Sequence, residues 1–329
     1  MSQEREINMA TPLVSICCNT FNHERYIRDA LEGFVSQKTD FDIEILVYDD
    51  ASTDATADII REYEAKYPHL LKPIYQTVNQ YSQGLAPGHQ NRARATGKYI
   101  AMCEGDDYWI DPLKLQKQVD YMEAHPDCTF CFTNGYRAYD RRQTEERIVP
   151  WDKHAVTQES PDFDVPAIEM LGYIPTASFL FPRATVLPTV PAGAFRGDHF
   201  AKLSRTNAGY AHFIDEPTVV YRLDVPGSAT ASWKSNNTRF EKQSRAFMLM
   251  YEAAKEFTGH RWDDLFDMRI CQYEISLYNR LGDYAKLKQI AKSPAYKLMK
   301  LANRHSRFFF YMQCKHPRII RLVRKLRGH

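Results

Sequence analysis

Three carboxylates fall within four consecutive residues, Glu104, Asp106 and Asp107, directly after the apolar segment 99–103. Carboxylates this close repel one another unless a positive charge lies among them. Mg²⁺ and Mn²⁺ take oxygen ligands, commonly one or two carboxylates together with the phosphates of a substrate. The run therefore predicts a divalent-metal site for a nucleotide or diphosphate substrate. The alternative is an acidic turn that caps the helix opened by Asp111 and Pro112.

Two further polar clusters follow apolar segments that read as strands. The first cluster is residues 19–22, after a strand at 13–18, and the second is residues 49–52, after a strand at 43–48. Helical patterns follow at 24–35 and 54–67, and further strands are predicted at 71–76 and 98–103. Strands that alternate with helices predict a parallel α/β sheet, in which ligands bind beyond the carboxyl ends of the strands. We therefore expect all three polar clusters at one edge of the sheet.

The rest of the chain is less regular and then becomes helical. The predicted elements are a helix at 113–124, a strand at 128–132, an irregular stretch at 134–165, an apolar segment at 174–181, a helix at 198–205 and two short strands at 210–214 and 218–222. From about residue 238 the composition favours helices. These patterns predict an α/β domain at residues 1–235 and a helical extension at 236–329.

The composition indicates a globular protein that stays in the cytoplasm. The chain has 329 residues, which suffices for a full core, and it has neither an apolar run that could span a bilayer nor a signal peptide at its polar start. Most of its seven cysteines lie inside predicted strands, where they read as reduced core residues. Cys128 and Cys131 have zinc-knuckle spacing, but no second pair follows at a usable distance.

Positive charge is concentrated in the C-terminal tail. Of the 43 Lys and Arg residues, 13 lie after Asp283, where the chain has no Asp or Glu. Ile319, Leu322, Val323 and Leu326 form an apolar stripe beside arginines, which predicts a basic amphipathic helix. Such a helix could lie on an anionic membrane surface at the inner face of the membrane, or it could pack on the protein. No nucleic-acid-binding motif accompanies the charge, so we expect no nucleic-acid partner.

Several motifs in register resemble one enzyme family. They are Thr20-Phe21-Asn22-His23-Glu24, Asp49-Asp50-Ala51-Ser52-Thr53-Asp54, Glu104-Gly105-Asp106-Asp107-Tyr108-Trp109, Gly197-Asp198 and Val220-Tyr221-Arg222. Over roughly residues 11 to 230 the chain resembles the family 2, GT-A fold, nucleotide-sugar glycosyltransferases of bacteria. The resemblance implies a GT-A (Rossmann-like) α/β fold, with a mixed, mainly parallel sheet flanked by helices and followed here by the C-terminal helical extension.

The resemblance also implies an activity. It is the metal-dependent, inverting transfer of a sugar from a nucleotide-diphosphate donor to a hydroxyl of a glycan or lipid-linked acceptor. The setting would be assembly of bacterial cell-surface polysaccharide or lipid-linked glycan, and the cofactor would be Mn²⁺ or Mg²⁺.

Site residues follow from the same resemblance. The metal ligands would be Asp107 first, then Asp106 and Glu104. The donor nucleotide would contact Thr20, Asn22, Asp49, Asp50 and Asp106. Asp198 would be the general base, although from spacing alone it reads as the N-cap of its own helix. The chain departs from the family pattern at Phe21, Ala51, Ala55 and Glu104, and at Asp224, where many members carry a histidine.

Two other functions are alternatives to glycosyl transfer. A sugar-phosphate nucleotidylyltransferase would need a glycine-rich loop after the first strand, whereas residues 19–24 contain no glycine. A non-catalytic, membrane-associated module that binds nucleotide sugars would not need the acidic residues at 104, 106, 107 and 198.

Overall fold

A computed structural model describes residues 11–85, 87–139, 142–148, 160–225 and 236–302, with four isolated positions beyond them. The chain forms two compact units. The first consists of the described residues up to Val186 together with Arg205–Val225. The second consists of Leu187–Ser204 together with the described residues from position 236 onward.

A ten-stranded sheet organises the first unit. Its strands are β1 (Val14–Thr20), β2 (Ile43–Asp49), β3 (Leu71–Tyr75), β4 (Tyr99–Met102), β5 (Tyr108–Trp109), β6 (Cys128–Tyr139), β7 (Arg142–Arg147), β8 (Asp162–Phe163), β9 (Leu180–Pro182) and β10 (Tyr210–Leu223). Their order is β3-β2-β1-β4-β9-β6-β10-β5, with β7 paired to β6 and β8 to β10. Strands β1 to β4, β6 and β10 point the same way, and β5 and β9 run against their neighbours. The predicted mixed α/β sheet is confirmed.

Helices cover the sheet because its side chains alternate between two apolar faces. The helices of this unit are α1 (Ile27–Val35), α2 (Thr56–Lys66), α3 (Pro87–Arg94), α4 (Lys114–Ala124) and α5 (Val165–Met170). On one face Phe34 of α1 meets Trp109 edge to face, with ring centroids 4.9 Å apart. On the other face Phe130 packs against Phe132 and Phe179. Both faces are therefore buried, as a mainly parallel sheet requires.

Two local predictions were wrong. Strand β6 continues through Tyr139 and pairs with β7, although the sequence predicted residues 134–165 to be irregular. Asn134 and Gly135, residue types common in turns, lie inside this strand. Glycine fits here because a Cβ atom at position 135 would lie 2.6 Å from Val219 on the neighbouring strand. Likewise β10 is one strand rather than two, since a shift in pairing between Ile214 and Pro217 absorbs the proline.

The second unit is helical, as predicted for the extension. Helix α6 (Asp198–Ala208) begins in it, and α7 (Asn237–Phe257), α8 (Asp263–Leu281), α9 (Tyr284–Ile290) and α10 (Pro294–Ala302) follow. Asn236 caps α7 through its side chain, and Gly282 ends α8 with φ of 74°. Within the part of the chain that the structure describes, no helix is long and apolar enough to cross a membrane. The predicted amphipathic stripe of the tail lies outside the described residues.

Candidate active site

The acidic run at residues 104–107 follows β4 and is hydrogen-bonded to the end of β1. Gly105 donates its backbone N–H to the carbonyl of Asn19 at 2.9 Å. The end of β1 is in turn tied to the end of β2, because Asp50 N–H donates to the carbonyl of Thr20 at 2.9 Å. The structure thus brings the three predicted polar clusters together at the carboxyl edge of adjacent parallel strands.

Gly105 allows the acidic run to lie close to β1. A Cβ atom at this position would be 2.6 Å from Thr20 Oγ1 and 3.0 Å from His23 Nδ1, so the space admits no side chain. These two atoms are buried, and neither has a hydrogen-bond partner among the described residues. Buried polar atoms are rarely left in that state, and they commonly mark a place where water or a ligand completes the site. A polar ligand beside the acidic run would fit.

The three carboxylates differ in exposure. Asp107 is 3% exposed, and its Oδ1 accepts the backbone N–H of Arg222 at 2.9 Å. Burial, followed by the neighbouring charge of Asp106, raises the pKa of Asp107 well above its usual value. Asp106 is 19% exposed, with Oδ2 4.0 Å from His23 Nε2. Glu104 is half-buried and accepts from Asn19 Nδ2 at 3.4 Å. Asp106 and Glu104 are therefore the more accessible pair.

Across the described ranges, no group of three or more His, Cys, Asp or Glu side chains is placed to hold a metal ion. Mg²⁺ is usually bound by one or two carboxylates plus substrate phosphates rather than by a complete protein cage. The hard oxygens of Asp106 and Glu104 fit such a shared site, and the unpartnered Thr20 hydroxyl lies next to it. Asp107 fits as a buried support.

His23 follows β1; its Nε2 lies 4.0 Å from Asp106 Oδ2, and its backbone N–H donates to Thr56 Oγ1 at 2.8 Å. Burial lowers the pKa of its imidazole, and the charges of Asp106 and Asp54 partly oppose that effect. The ring is therefore neutral near pH 7 and adds no positive charge to the acidic run. The sequence reading treated His23 only as part of a motif.

The residues predicted to bind the nucleotide lie at the same edge of the sheet. Asp49, at the end of β2, is 2% exposed and accepts a hydrogen bond from the Ser52 hydroxyl; burial raises its pKa. Asp50 accepts the backbone N–H groups of Gln80 and Tyr81 at 2.7 and 3.0 Å. Asp50 thereby holds the loop after β3 in place.

Asn22 and Ala51 occupy the left-handed backbone region, with φ of 55° and 63°. Asn22 Oδ1 accepts the N–H of Thr53 at 2.8 Å, and its own N–H donates to Ser52 Oγ at 2.9 Å. The two turns are therefore clasped to each other. Ala51 keeps the backbone shape of the glycine that the family pattern has there, at some conformational cost.

Asp198 belongs to the second unit. It is the first residue of α6, it is half-buried, and its Oδ1 accepts the N–H of His199 at 2.8 Å. The imidazole of His199 shares a hydrogen bond of 2.8 Å with the hydroxyl of Tyr251 on α7. The helical extension thus contacts the residue next to the predicted base, a link that the sequence did not reveal.

Arg94, on α3, bonds to the sheet. Its guanidinium donates to Asn91 Oδ1 at 2.8 and 3.0 Å and to the carbonyl of Val47 at 3.0 Å. Asn91 in turn donates to the carbonyl of Cys18 and to Asn19. Arg94 therefore connects α3 to β1 and β2.

Comparison with known proteins adds a family. Residues 15–181 match the family described as Glycosyl transferase family 2. An uncharacterised protein of Mycobacterium tuberculosis is 31% identical over 299 residues, covering 88% of this chain and 83% of its own length. The putative teichuronic acid biosynthesis glycosyltransferase TuaG of Bacillus subtilis is 33% identical over 153 residues, covering 46% of this chain and 56% of TuaG.

Among solved structures, that of S. aureus TarS residues 1–349 in complex with UDP-GlcNAc is similar to this chain. The TM-score is 0.60 at 16% identity, with 91% of this chain and 86% of the other covered. At that identity the likeness concerns the fold. It confirms the predicted GT-A architecture.

Proposed function

The chain belongs to glycosyl transferase family 2 and is a nucleotide-sugar glycosyltransferase, and from this premise we propose that its reaction is metal-dependent and inverting. The acceptor would be a hydroxyl of a glycan or lipid-linked glycan in the assembly of bacterial surface polysaccharide. Family membership sets aside the nucleotidylyltransferase and the non-catalytic module.

The proposal rests on one observation: the acidic run lies at the carboxyl edge of parallel strands β1, β2 and β4, and its two more accessible carboxylates lie near buried polar atoms of Thr20 and His23 that have no partner among the described residues. Asp106 and Glu104 would hold Mn²⁺ or Mg²⁺ together with the donor's diphosphate. When bound, the ion supplies Lewis-acid stabilisation of the leaving diphosphate. The sequence ranked Asp107 first, but its burial and its hydrogen bond to Arg222 favour a role beneath Asp106.

For the nucleotide, we propose that Thr20 and Asp49 contact the donor directly. Asp50 and Asn22 would act by shaping the pocket, since their side-chain oxygens accept backbone N–H groups from neighbouring loops. The relatives support a nucleotide-sugar donor, and TarS was solved with UDP-GlcNAc.

For the acceptor, Asp198 would remove the proton from the attacking hydroxyl. A single base of this kind implies direct displacement at the anomeric carbon and hence inversion. Asp198 Oδ1 accepts the N–H of His199 at 2.8 Å, a contact that orients the carboxylate at the start of α6. The anionic-membrane partner and the location at the inner membrane face depend on residues after position 302 and stay predictions from the sequence.

Nucleotide release from a panel of UDP- and GDP-sugars tests the proposal. We expect release with Mn²⁺, loss of release after chelation, and recovery when Mn²⁺ returns. Asp106→Asn and Asp198→Asn should each lower turnover by about 10²-fold or more, because each removes a group that acts in the transition state. Asp120→Asn, an exposed change on α4, is the matched control and should keep full turnover.

Three results would contradict separate parts of the proposal. Turnover that survives chelation would exclude the metal. Full turnover in Asp198→Asn would exclude that base. A product that keeps the donor's anomeric configuration, as seen by NMR, would exclude inversion.

A further inference from the structure

A buried guanidinium lies directly beneath the acidic run. Arg222 is near the end of β10, and its side chain is 2% exposed. In the sequence it was noted only as part of the Val220-Tyr221-Arg222 motif, without a role. Carboxylates crowded together need a nearby positive charge, and Arg222 supplies one from within the protein.

Arg222 binds both members of the adjacent acidic pair. Its Nη1–H donates to the backbone carbonyl of Asp106 at 2.7 Å, and its own backbone N–H donates to Asp107 Oδ1 at 2.9 Å. Its Nη2–H pairs with the carboxylate of Asp29 on α1. Arg222 therefore holds the backbone carbonyl of Asp106 and the side-chain carboxylate of Asp107, and its guanidinium connects the run to a helix of the first unit.

Two aromatic rings fix the guanidinium plane. The Cζ atom of Arg222 lies 4.3 Å from the ring centroid of Tyr108 and 5.0 Å from that of Tyr26. A planar, delocalised cation suits such a position, whereas the compact ammonium of lysine cannot donate at two points in one plane. The orientation of the Asp106 carbonyl thus depends on the shape of the arginine as well as on its charge.

We propose that Arg222 is a positioning residue that holds the Asp106–Asp107 peptide so that the Asp106 carboxylate faces the donor before any ligand arrives. The inference rests on the proposed function, because its consequence is tighter binding of a divalent cation with a nucleotide. Residues that orient metal ligands typically change metal affinity by about 10- to 100-fold when they are removed.

The test compares full-length Arg222→Gln and Arg222→Lys with Arg28→Gln. Arg28 is on α1, as is Asp29, and forms an exposed ion pair with Glu62. Arg28→Gln therefore makes the same chemical change in an arginine that has no proposed role at the metal site. Two quantities are measured, the amide hydrogen exchange of residues 103–110 without ligand and the affinity for Mn²⁺ by electron paramagnetic resonance with UDP present.

In Arg222→Gln we expect faster exchange in residues 103–110 and about 10- to 100-fold weaker Mn²⁺ binding. Arg222→Lys should resemble Arg222→Gln in both the exchange rate and the Mn²⁺ affinity. Lysine keeps the positive charge but cannot donate to the Asp106 carbonyl and the Asp29 carboxylate at once. Arg28→Gln should match the wild type. Exchange and Mn²⁺ affinity in Arg222→Gln equal to those of Arg28→Gln would overturn the inference.

The Mn²⁺ measurement on the wild type tests the proposed function separately from the role of Arg222. If the wild type binds no Mn²⁺ with UDP or with GDP, the metal requirement is wrong, while the exchange comparison still decides whether Arg222 holds the run. If Arg222→Gln does not fold, Asp29→Asn removes the ion-pair partner and leaves Arg222 in place. Faster exchange of residues 103–110 in that variant supports the inference, and unchanged exchange contradicts it.

Discussion

Residues with the same chemistry have different roles in this protein because their hydrogen bonds differ. Asp107 and Asp50 are both about 3% exposed and use their oxygens to accept backbone N–H groups. Asp106 keeps a carboxylate that solvent can reach. The sequence motif does not distinguish these residues, whereas their hydrogen bonds indicate which ones support the site and which one is placed to contact the ligand.

Lys114 shows the same principle for a cation. It is fully buried at the start of α4, where Nζ donates to Gln118 Oε1 at 2.7 Å. Burial lowers its pKa from 10.5 to about 7. Between these two values the unfolded chain binds a proton that the folded protein does not bind, so the free energy of unfolding should rise with pH.

We therefore predict that Lys114→Met reduces the rise of the free energy of unfolding between about pH 7 and pH 9, a range in which a lysine of the unfolded chain is still protonated. The wild-type rise from this group is at most about 1.4 kcal/mol per pH unit. Urea unfolding at several pH values measures it. Lys38→Met, an exposed change, should keep the wild-type slope, and an equal slope in Lys114→Met would refute the assignment.

At this scale the sequence predicted which residues gather at the site but not what each one contacts. Periodicity placed Asp49, Asp50 and Asp106 beyond strand ends; in the structure Asp49 is the last residue of β2, and Asp50 and Asp106 lie beyond the ends of β2 and β4. The contacts of Asp106 and Asp107 with Arg222 join positions 115 or more residues apart. Local patterns carry no information on such pairs, so the role of Arg222 emerged only from the fold.

At the scale of elements, the site depends on how closely the chain after β4 approaches β1. Gly105 N–H reaches the Asn19 carbonyl because no Cβ intervenes. Strands β1, β2 and β4 were predictable, since each has an apolar run followed by a polar turn. The two wrong predictions, β6 and β10, involve turn-like residues that tertiary pairing keeps in strands.

Gly105→Ala should displace the acidic run, because its Cβ would lie within 3 Å of buried Thr20. We expect a loss of about 1–3 kcal/mol in stability from overpacking and, in the folded protein, weaker Mn²⁺ binding. Gly97→Ala is the matched control, since its Cβ would meet the backbone of Val14 and Ser15 at the start of β1. It should lose stability and keep Mn²⁺ affinity.

Chemical denaturation and Mn²⁺ titration of the folded fraction separate these two effects. Equal Mn²⁺ affinity in the two glycine variants would show that the approach of Gly105 to β1 does not shape the metal site. Weaker binding only in Gly105→Ala would support it.

At the scale of the whole molecule, the predicted boundary between residues 235 and 236 separates segments that pack together in the second unit. Phe195 stacks on Phe247 of α7 with centroids 4.2 Å apart, and its N–H donates to the carbonyl of Ala246 at 2.9 Å. His199 bonds Tyr251 on the same helix. The sequence could not indicate this, because the partners lie about 50 residues apart and across a change in composition.

A fragment of residues 1–235 should therefore lose the packing that surrounds the predicted base. Without α7, Phe195, His199 and Phe200 lose their ring contacts with that helix, and exposure of this apolar surface destabilises the segment. We expect residues 187–204 to become sensitive to proteolysis and sugar transfer to fall to background. Deletion after Ala302 keeps α7 to α10 and is the control; it should preserve both protection and transfer. If the 1–235 fragment transferred sugar at the full-length rate with residues 187–204 protected, the boundary predicted from the sequence would be right, and the helices would have no part in placing Asp198.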